Sequence, residues 1–215
     1  MFGFNLTQML IGAVVTLIAL TVHECAHGIV SSKLGDPTPR MQGRLTLNPM
    51  AHLDPIGTVL MVLTGFGWAR PVQINPMYYR DRVRGMALVA LAGPLSNLIL
   101  AFVGMFIGIF ISLAGYRAGM EMSWVLNITQ IFVVRNLCFM VFNLIPFPPL
   151  DGFKIAGVFM PRDLYYRILQ YEQYIMYLLM FLSLTGFFSR IIGTGVGIAY
   201  NAIFSLVYRM LGFMM

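Results

Sequence analysis

Residues 85–116 contain no formal charge, and residues 1–32 contain only one, Glu24. A helix crosses the hydrocarbon core of a bilayer with about 20 mostly apolar residues, so each stretch is long enough to span. Backbone polar groups in lipid must be satisfied within the spanning structure, which leaves helices or closed barrels. Uncharged runs of this length fit helices. The rest of the composition agrees, with 59% hydrophobic and 10% charged residues and a mean hydropathy of +0.79. Soluble domains carry about 25% charged residues. A net charge of +6 would suggest nucleic acid for a soluble protein. Here the basic residues gather in particular connecting segments, as the positive-inside rule describes, so no nucleic-acid partner is expected. Cys25 and Cys138 sit in apolar stretches and make no disulfide framework.

The expected fold is an all-α polytopic membrane protein, one membrane-embedded domain over 1–215 with spans at about 10–32, 86–115, 124–146, 168–188 and 191–208. No Lys or Arg precedes the first apolar run, so it lacks the basic start of a cleavable signal peptide and is expected to be retained. Lys33-Leu34-Gly35 reads as the exit of the first helix, with Pro37 and Pro39 blocking its return. Between the first and second spans the pattern changes. Arg44-Leu45-Thr46-Leu47 alternates like a short strand, a second strand-like run covers 71–74, and 56–66 is apolar but too short to span. A small re-entrant or β-hairpin element is expected there. Lys33, Arg40, Arg44, Arg70, Arg80, Arg82 and Arg84 outnumber Asp36, Asp54 and Asp81 in this region. That excess predicts the cytoplasmic side, with the N-terminus outside. Arg162, Asp163 and Arg167 mark another expected cytoplasmic loop. The last two apolar stretches form either a hairpin or one span with an interfacial helix.

Residues 23–27 read His-Glu-Cys-Ala-His. Positions i and i+4 share one helix face, so both imidazoles can reach a single metal ion. Glu24 beside them can act as general base toward a water that the metal activates. Ionisable groups inside a span are costly and default to function. A catalytic zinc usually takes three protein ligands and keeps one position open. Glu121, Glu172 and His52 fall at loop ends or in the connecting stretch, whereas Asp151 follows the proline-broken end of the third span. Non-helical backbone at membrane depth is tolerated where it lines a cavity. The same Asp151-Gly152 pair, coming after prolines, also reads as an ordinary turn.

These motifs together resemble the site-2 protease family of intramembrane zinc metalloproteases. The resemblance rests on His23-Glu24-x-x-His27 in a first span and on Asn143-x-x-Pro146-x-Pro148-x-Leu150-Asp151-Gly152 at the end of a third. Gly93-Pro94-Leu95-Ser96-Asn97 and Gly65-x-Gly67 resemble two further family elements. The resemblance implies one zinc per chain, held by His23, His27 and Asp151, with Glu24 as base. It implies that Asn97 faces the active site and assists the transition state, and that substrate adds as a strand near Gly65. It also implies a membrane-spanning protein or peptide substrate, with the bilayer as environment and no soluble partner. The location implied is a prokaryotic cell membrane, with the active site open toward the cytoplasm. Many members carry a PDZ domain between the second and third spans or CBS domains after the core. Residues 116–124 are too few for the former, so a minimal member is expected.

Two other readings compete with this one. One is a membrane metalloprotease with a glutamate as third ligand, acting on soluble or prenylated substrates. The other is a non-catalytic metal-binding membrane protein, such as a transporter or a pseudoprotease. Arg135 and Asn136 fall inside the third span, where they are expected to be structural, bonding a carbonyl or Asn127. His52 is expected to be a loop residue.

Overall fold

The computed structural model describes residues 6–54, 57 and 70–212. Helix α1, Leu6–Lys33, is followed by the short α2, Thr38–Met41. Next come the long α3, Arg82–Arg117, and α4, Ser123–Asn143. The chain closes with α5, Asp151–Ala156, α6, Arg162–Leu169, α7, Glu172–Leu184, and α8, Ser189–Gly212. Among the described residues there is no strand. Among the described residues four helices are long and apolar enough to cross a membrane, namely α1, α3, α4 and α8. The protein is an all-α polytopic membrane protein.

Local chemistry sets the helix ends. Helix α1 stops at Lys33, and Gly35 follows with φ of 102°, a left-handed turn that glycine adopts without steric cost. Asp81 caps α3, its carboxylate accepting from the Val83 and Arg84 amides. Helix α4 ends at Asn143, and the proline-rich 144–150 stays non-helical until Asp151 opens α5. Gly152 allows this break to close tightly, because a side chain there would collide with the carbonyl of Leu144.

Helix α3 packs against both α1 and α4. Ala101 and Met105 of α3 meet Val133 and Leu137 of α4 and Ile203, Val207 and Leu211 of α8 in one buried cluster. A smaller cluster of Leu150, Leu179 and Phe188 fastens α7 to the broken segment.

Three expectations need correction. The alternating run at 44–47 is not a strand, and 71–74 is extended without strand pairing among the described residues. Almost all of 56–66, and the whole Gly65-Phe66-Gly67 element, lie outside the described residues. The apolar stretch 168–188 is not one helix. It breaks at Gln170-Tyr171, leaving α7 with 13 residues, about 20 Å at 1.5 Å per residue and too short to span. Finally, Arg162, Asp163 and Arg167 belong to the amphipathic helix α6 rather than a loop. Its Tyr165 stacks on Phe153 with ring centroids 5.3 Å apart.

Candidate metal centre

His23 and His27 lie one turn apart on α1, with Glu24 between them. His23 is ten residues from the Lys33 end, about 15 Å at helical rise, half the thickness of a hydrocarbon core of about 30 Å. Two features of α3 receive the imidazoles. Gly93 leaves a notch, since a Cβ there would come within 2.5 Å of the His23 ring and 2.6 Å of the His27 ring. Pro94 interrupts the helical ladder next to it, and the nearby Val89 carbonyl accepts from His27 Nδ1 at 2.7 Å.

Asp151 arrives from the other side on the first residue of α5. Its Oδ2 lies 3.1 Å from His23 Nε2 and 3.1 Å from His27 Nε2. One ligand atom from each of the three residues falls within 4.8 Å of the others, and all three residues are buried.

The hydrogen bonds behind the rings assign their tautomers. Asn97 donates through Nδ2 to the Ala19 carbonyl and to Asn136 Oδ1, both at 3.1 Å. Its Oδ1 is thereby turned to His23 Nδ1, 2.7 Å away. Each imidazole therefore carries its proton on Nδ1 and presents an Nε2 lone pair toward Asp151. Two lone pairs and a carboxylate oxygen converging in a buried site repel one another unless a cation lies between them. The donor set thus fits a metal ion, and two nitrogens with one oxygen suit zinc with a position left open. Partners of this kind behind metal-bound histidines fix ring orientation and raise ligand basicity.

A cavity of about 690 Å³ opens beside the three residues. Glu24 lines it, its Oε2 accepting from the Val72 amide at 2.9 Å. Val72, Phe142, Leu150, Met176 and Leu179 supply apolar walls.

The structure brings together His23, Glu24, His27 and Asp151, with Asn97 against His23 at 2.7 Å. Asn97 is fully buried behind His23 with its amide donors engaged, and it does not line the cavity. Glu121 is exposed in the turn after α3, where the Ser123 hydroxyl and then the Ser123 amide, which donates to its Oε1, hold its carboxyl below its ordinary value. Glu172 lines the cavity without joining the ligand cluster. His52 is fully buried in the loop, its Nε2 2.9 Å from the Thr46 carbonyl.

Sequence reasoning passed over Lys154, which lines the cavity with Nζ 3.5 Å from Asp151 Oδ1. Its i,i+3 spacing from Asp151 on a helix was the available signal. Asn136 was read as structural, but its link through Asn97 to His23 was not visible in the sequence.

The comparisons with known proteins point the same way. "Putative zinc metalloprotease YwhC" of Bacillus subtilis is 41% identical over 182 residues, covering 80% of this chain and 81% of that protein. This chain belongs to the YwhC family. "Putative zinc metalloprotease Rip2" of Mycolicibacterium smegmatis is 29% identical over 150 residues, 64% of this chain. The Mycobacterium tuberculosis H37Rv protein of the same name is 29% identical over 144 residues. The chain spans about half the length of both Rip2 proteins, 52% in each case. No family model matches the chain, and no solved structure matches it. The family's named relatives are thus bacterial proteins carrying the zinc metalloprotease name, and this member is membrane-embedded.

Proposed function

We propose that this chain is an intramembrane zinc metalloendopeptidase that hydrolyses peptide bonds within or near the transmembrane segments of membrane-anchored substrates. One observation carries the reading. Two tautomer-fixed imidazoles and a carboxylate converge near mid-membrane depth beside a glutamate, in a cavity with apolar walls. A transporter would need polar groups distributed along a path, and pure metal storage has no use for Glu24.

His23 Nε2, His27 Nε2 and an oxygen of Asp151 would hold the metal. When bound, zinc would supply Lewis-acid polarisation of the scissile carbonyl and a water acidic enough to ionise near neutral pH. Glu24 accepts the proton of the attacking water and later returns it to the nitrogen of the leaving amine. The Val72 amide steadies that carboxylate while leaving its second oxygen for the proton. Lys154 draws on Asp151 Oδ1, which favours Oδ2 as the ligating atom. Asn97 acts as a positioning residue, since its donors are already engaged and its carbonyl holds the His23 proton on Nδ1. The apolar walls suit the side chains of an unwound membrane segment. The basic excess of 33–84 supports an orientation with the cavity reached from the cytoplasm.

The test is zinc content together with cleavage of a generic single-span substrate by purified protein. Glu24→Gln is expected to keep one zinc and to cut about 10²- to 10⁴-fold more slowly, the range of general-base contributions. Asp151→Ala is expected to lose the zinc. Wild-type turnover in Glu24→Gln would remove the base assignment. Zinc binding with no cleavage in the wild type would favour a binding protein.

A further inference from the structure

Helix α8 turns one face to the core and leaves the other exposed. Ile203, Val207 and Leu211 are buried against Ala101 and Met105 of α3 and Val133 and Leu137 of α4. On the opposite face Thr194, Gly197, Asn201 and Ser205 are all exposed. Their spacing of three, four and four residues keeps them on one side of the helix. We propose that this face joins two copies of this chain side by side in the membrane, with the Asn201 side chains bonded to each other.

The polar side chains carry the argument. Thr194, Asn201 and Ser205 make no hydrogen bond among the described residues. Polar side chains in the other spans behave differently. Thr16, Ser112 and Thr129 each donate at 2.8 Å to a carbonyl one turn back in their own helix. Asn136 and Asn143 do the same at 2.9 and 3.0 Å. Asn201 also stands at the costliest depth for a free amide. Arg190 and Arg209 lie near the two ends of α8, nineteen residues apart. That is about 28 Å at helical rise, close to the hydrocarbon thickness of about 30 Å. Asn201 is eleven residues from the first and eight from the second, about 16 and 12 Å. A lipid-facing amide there has no water to bond, and a polar group left unsatisfied in hydrocarbon is strongly unfavourable.

A second copy supplies the matching group. An amide both donates and accepts, so two Asn201 side chains satisfy each other through a pair of N–H···O bonds. Copies inserted in the same orientation carry each residue at the same depth. A two-fold axis along the membrane normal therefore brings Asn201 to Asn201, and Thr194 and Ser205 toward their own counterparts. Gly197, one turn from Asn201, has nothing within 4 Å of where a Cβ would stand. The two backbones can thus approach closely there, as packed membrane helices do. The metal cavity stays open in such a pair, because no residue of α8 lines it.

The experiment measures energy transfer between donor- and acceptor-labelled full chains in phosphatidylcholine vesicles, diluted stepwise with lipid. Wild-type transfer is expected to fall with dilution as a monomer–dimer equilibrium. Asn201→Leu is expected to weaken association about tenfold, the scale of two interhelical hydrogen bonds in a bilayer. Asn201→Gln keeps the amide and should retain most of the association. Asn127→Leu, which removes an exposed amide from α4, should leave it unchanged. Asn201 is exposed, so Asn201→Leu should keep the wild-type melting temperature in excess detergent, where the chain is monomeric. Wild-type transfer no greater than random proximity at every dilution overturns the proposal. Wild-type association in Asn201→Leu overturns it too, since the contact would then use another face. A monomeric wild type that loses capture of a single-span peptide on Asn201→Leu also overturns it, in favour of a substrate-docking face.

Discussion

Asp36 and Asp151 are both almost fully buried, at 1% and 5% exposure, and their surroundings are opposite in kind. Asp36 lies among donors. Ser31 Oγ donates to it at 2.7 Å, and the Thr38 and Asn75 amides donate at 2.9 and 2.8 Å. Tyr79 Oη is 2.7 Å from Ser31 Oγ and completes the group. A carboxylate supplied in this way is a structural clasp, tying the exit of α1 to the extended stretch before α3. Asp151 instead faces two imidazole nitrogens whose protons are on the far side of the rings, and among the described residues no backbone amide donates to it. Burial alone therefore does not distinguish a clasp from a ligand. The partners do: Asp36 is surrounded by donors and finished, whereas Asp151 has Lys154 Nζ at 3.5 Å on Oδ1 but two imidazole lone pairs at 3.1 Å from Oδ2, and that oxygen needs a cation.

The sharpest way to break this contrast is to remove each carboxylate and titrate zinc against a competing chelator. Asp151→Ala is expected to weaken zinc binding by more than about a hundredfold, beyond the 10- to 100-fold that loss of an outer-shell partner costs. Asp36→Ala should leave zinc affinity unchanged in the folded protein. Equal losses in both variants would mean that Asp36 shapes the metal site as well, and the contrast would fail.

Stability should divide the pair the other way. Asp36→Ala leaves the Ser31 hydroxyl and two amides without their acceptor, at about 1–3 kcal/mol for each buried group left unsatisfied. Partial rescue by water brings the expected loss to about 3 kcal/mol, read by denaturation of zinc-free protein in detergent. Asp151→Ala in the same zinc-free protein should cost less than Asp36→Ala, because its imidazole neighbours present lone pairs and its one ammonium neighbour, Lys154 at 3.5 Å, is long and partly exposed. A large loss there would mean that Asp151 is a structural group.

The two aspartates also show how far the sequence could be read. Asp36-Pro37 and Pro149-Leu150-Asp151-Gly152 both look like turns, and only the partner of His23-Glu24-x-x-His27 singled out the second. That motif was legible because both histidines fall at a helical spacing within an apolar run. The long spans were legible from hydropathy, which also misled at 168–188, where the break at Gln170-Tyr171 hardly alters the apolar character. The alternation at 44–47 suggested a strand, but Arg44 and Thr46 are used locally, by Ala51 and His52, rather than by a neighbouring strand. What remained hidden depended on distant backbone: the Gly93 notch, the Val89 carbonyl, and the relay from Asn136 through Asn97 to His23.

That relay gives a smaller and more specific test. Asn97→Ala is expected to weaken zinc binding about 10- to 100-fold, the range for removing an outer-shell partner. Asn136→Ala, acting only through Asn97, should do less. Since both residues are buried, the melting temperature falls in either case. Zinc affinity is the readout that separates positioning of His23 from packing. Unchanged affinity in Asn97→Ala would make the contact with His23 incidental.

The smallest effect concerns acid. Burial pushes the Asp36 carboxyl up, but the bonds from Thr38, Asn75 and Ser31 outweigh it and hold the group below its ordinary value. A carboxyl depressed in the folded state contributes stability that is present above its unfolded pKa of about 3.9 and disappears as pH falls through the lower folded value. Zinc-free wild type should therefore exceed Asp36→Asn in stability by a constant margin at neutral pH, and the margin should shrink once pH drops below about 4. Zinc-free protein is essential, because acid also protonates the metal ligands and would add a second transition. If the margin holds steady down to pH 3, the clasp does not depend on ionised Asp36. In that case its hydrogen bonds alone would separate it from Asp151, and charge would have no part in the contrast.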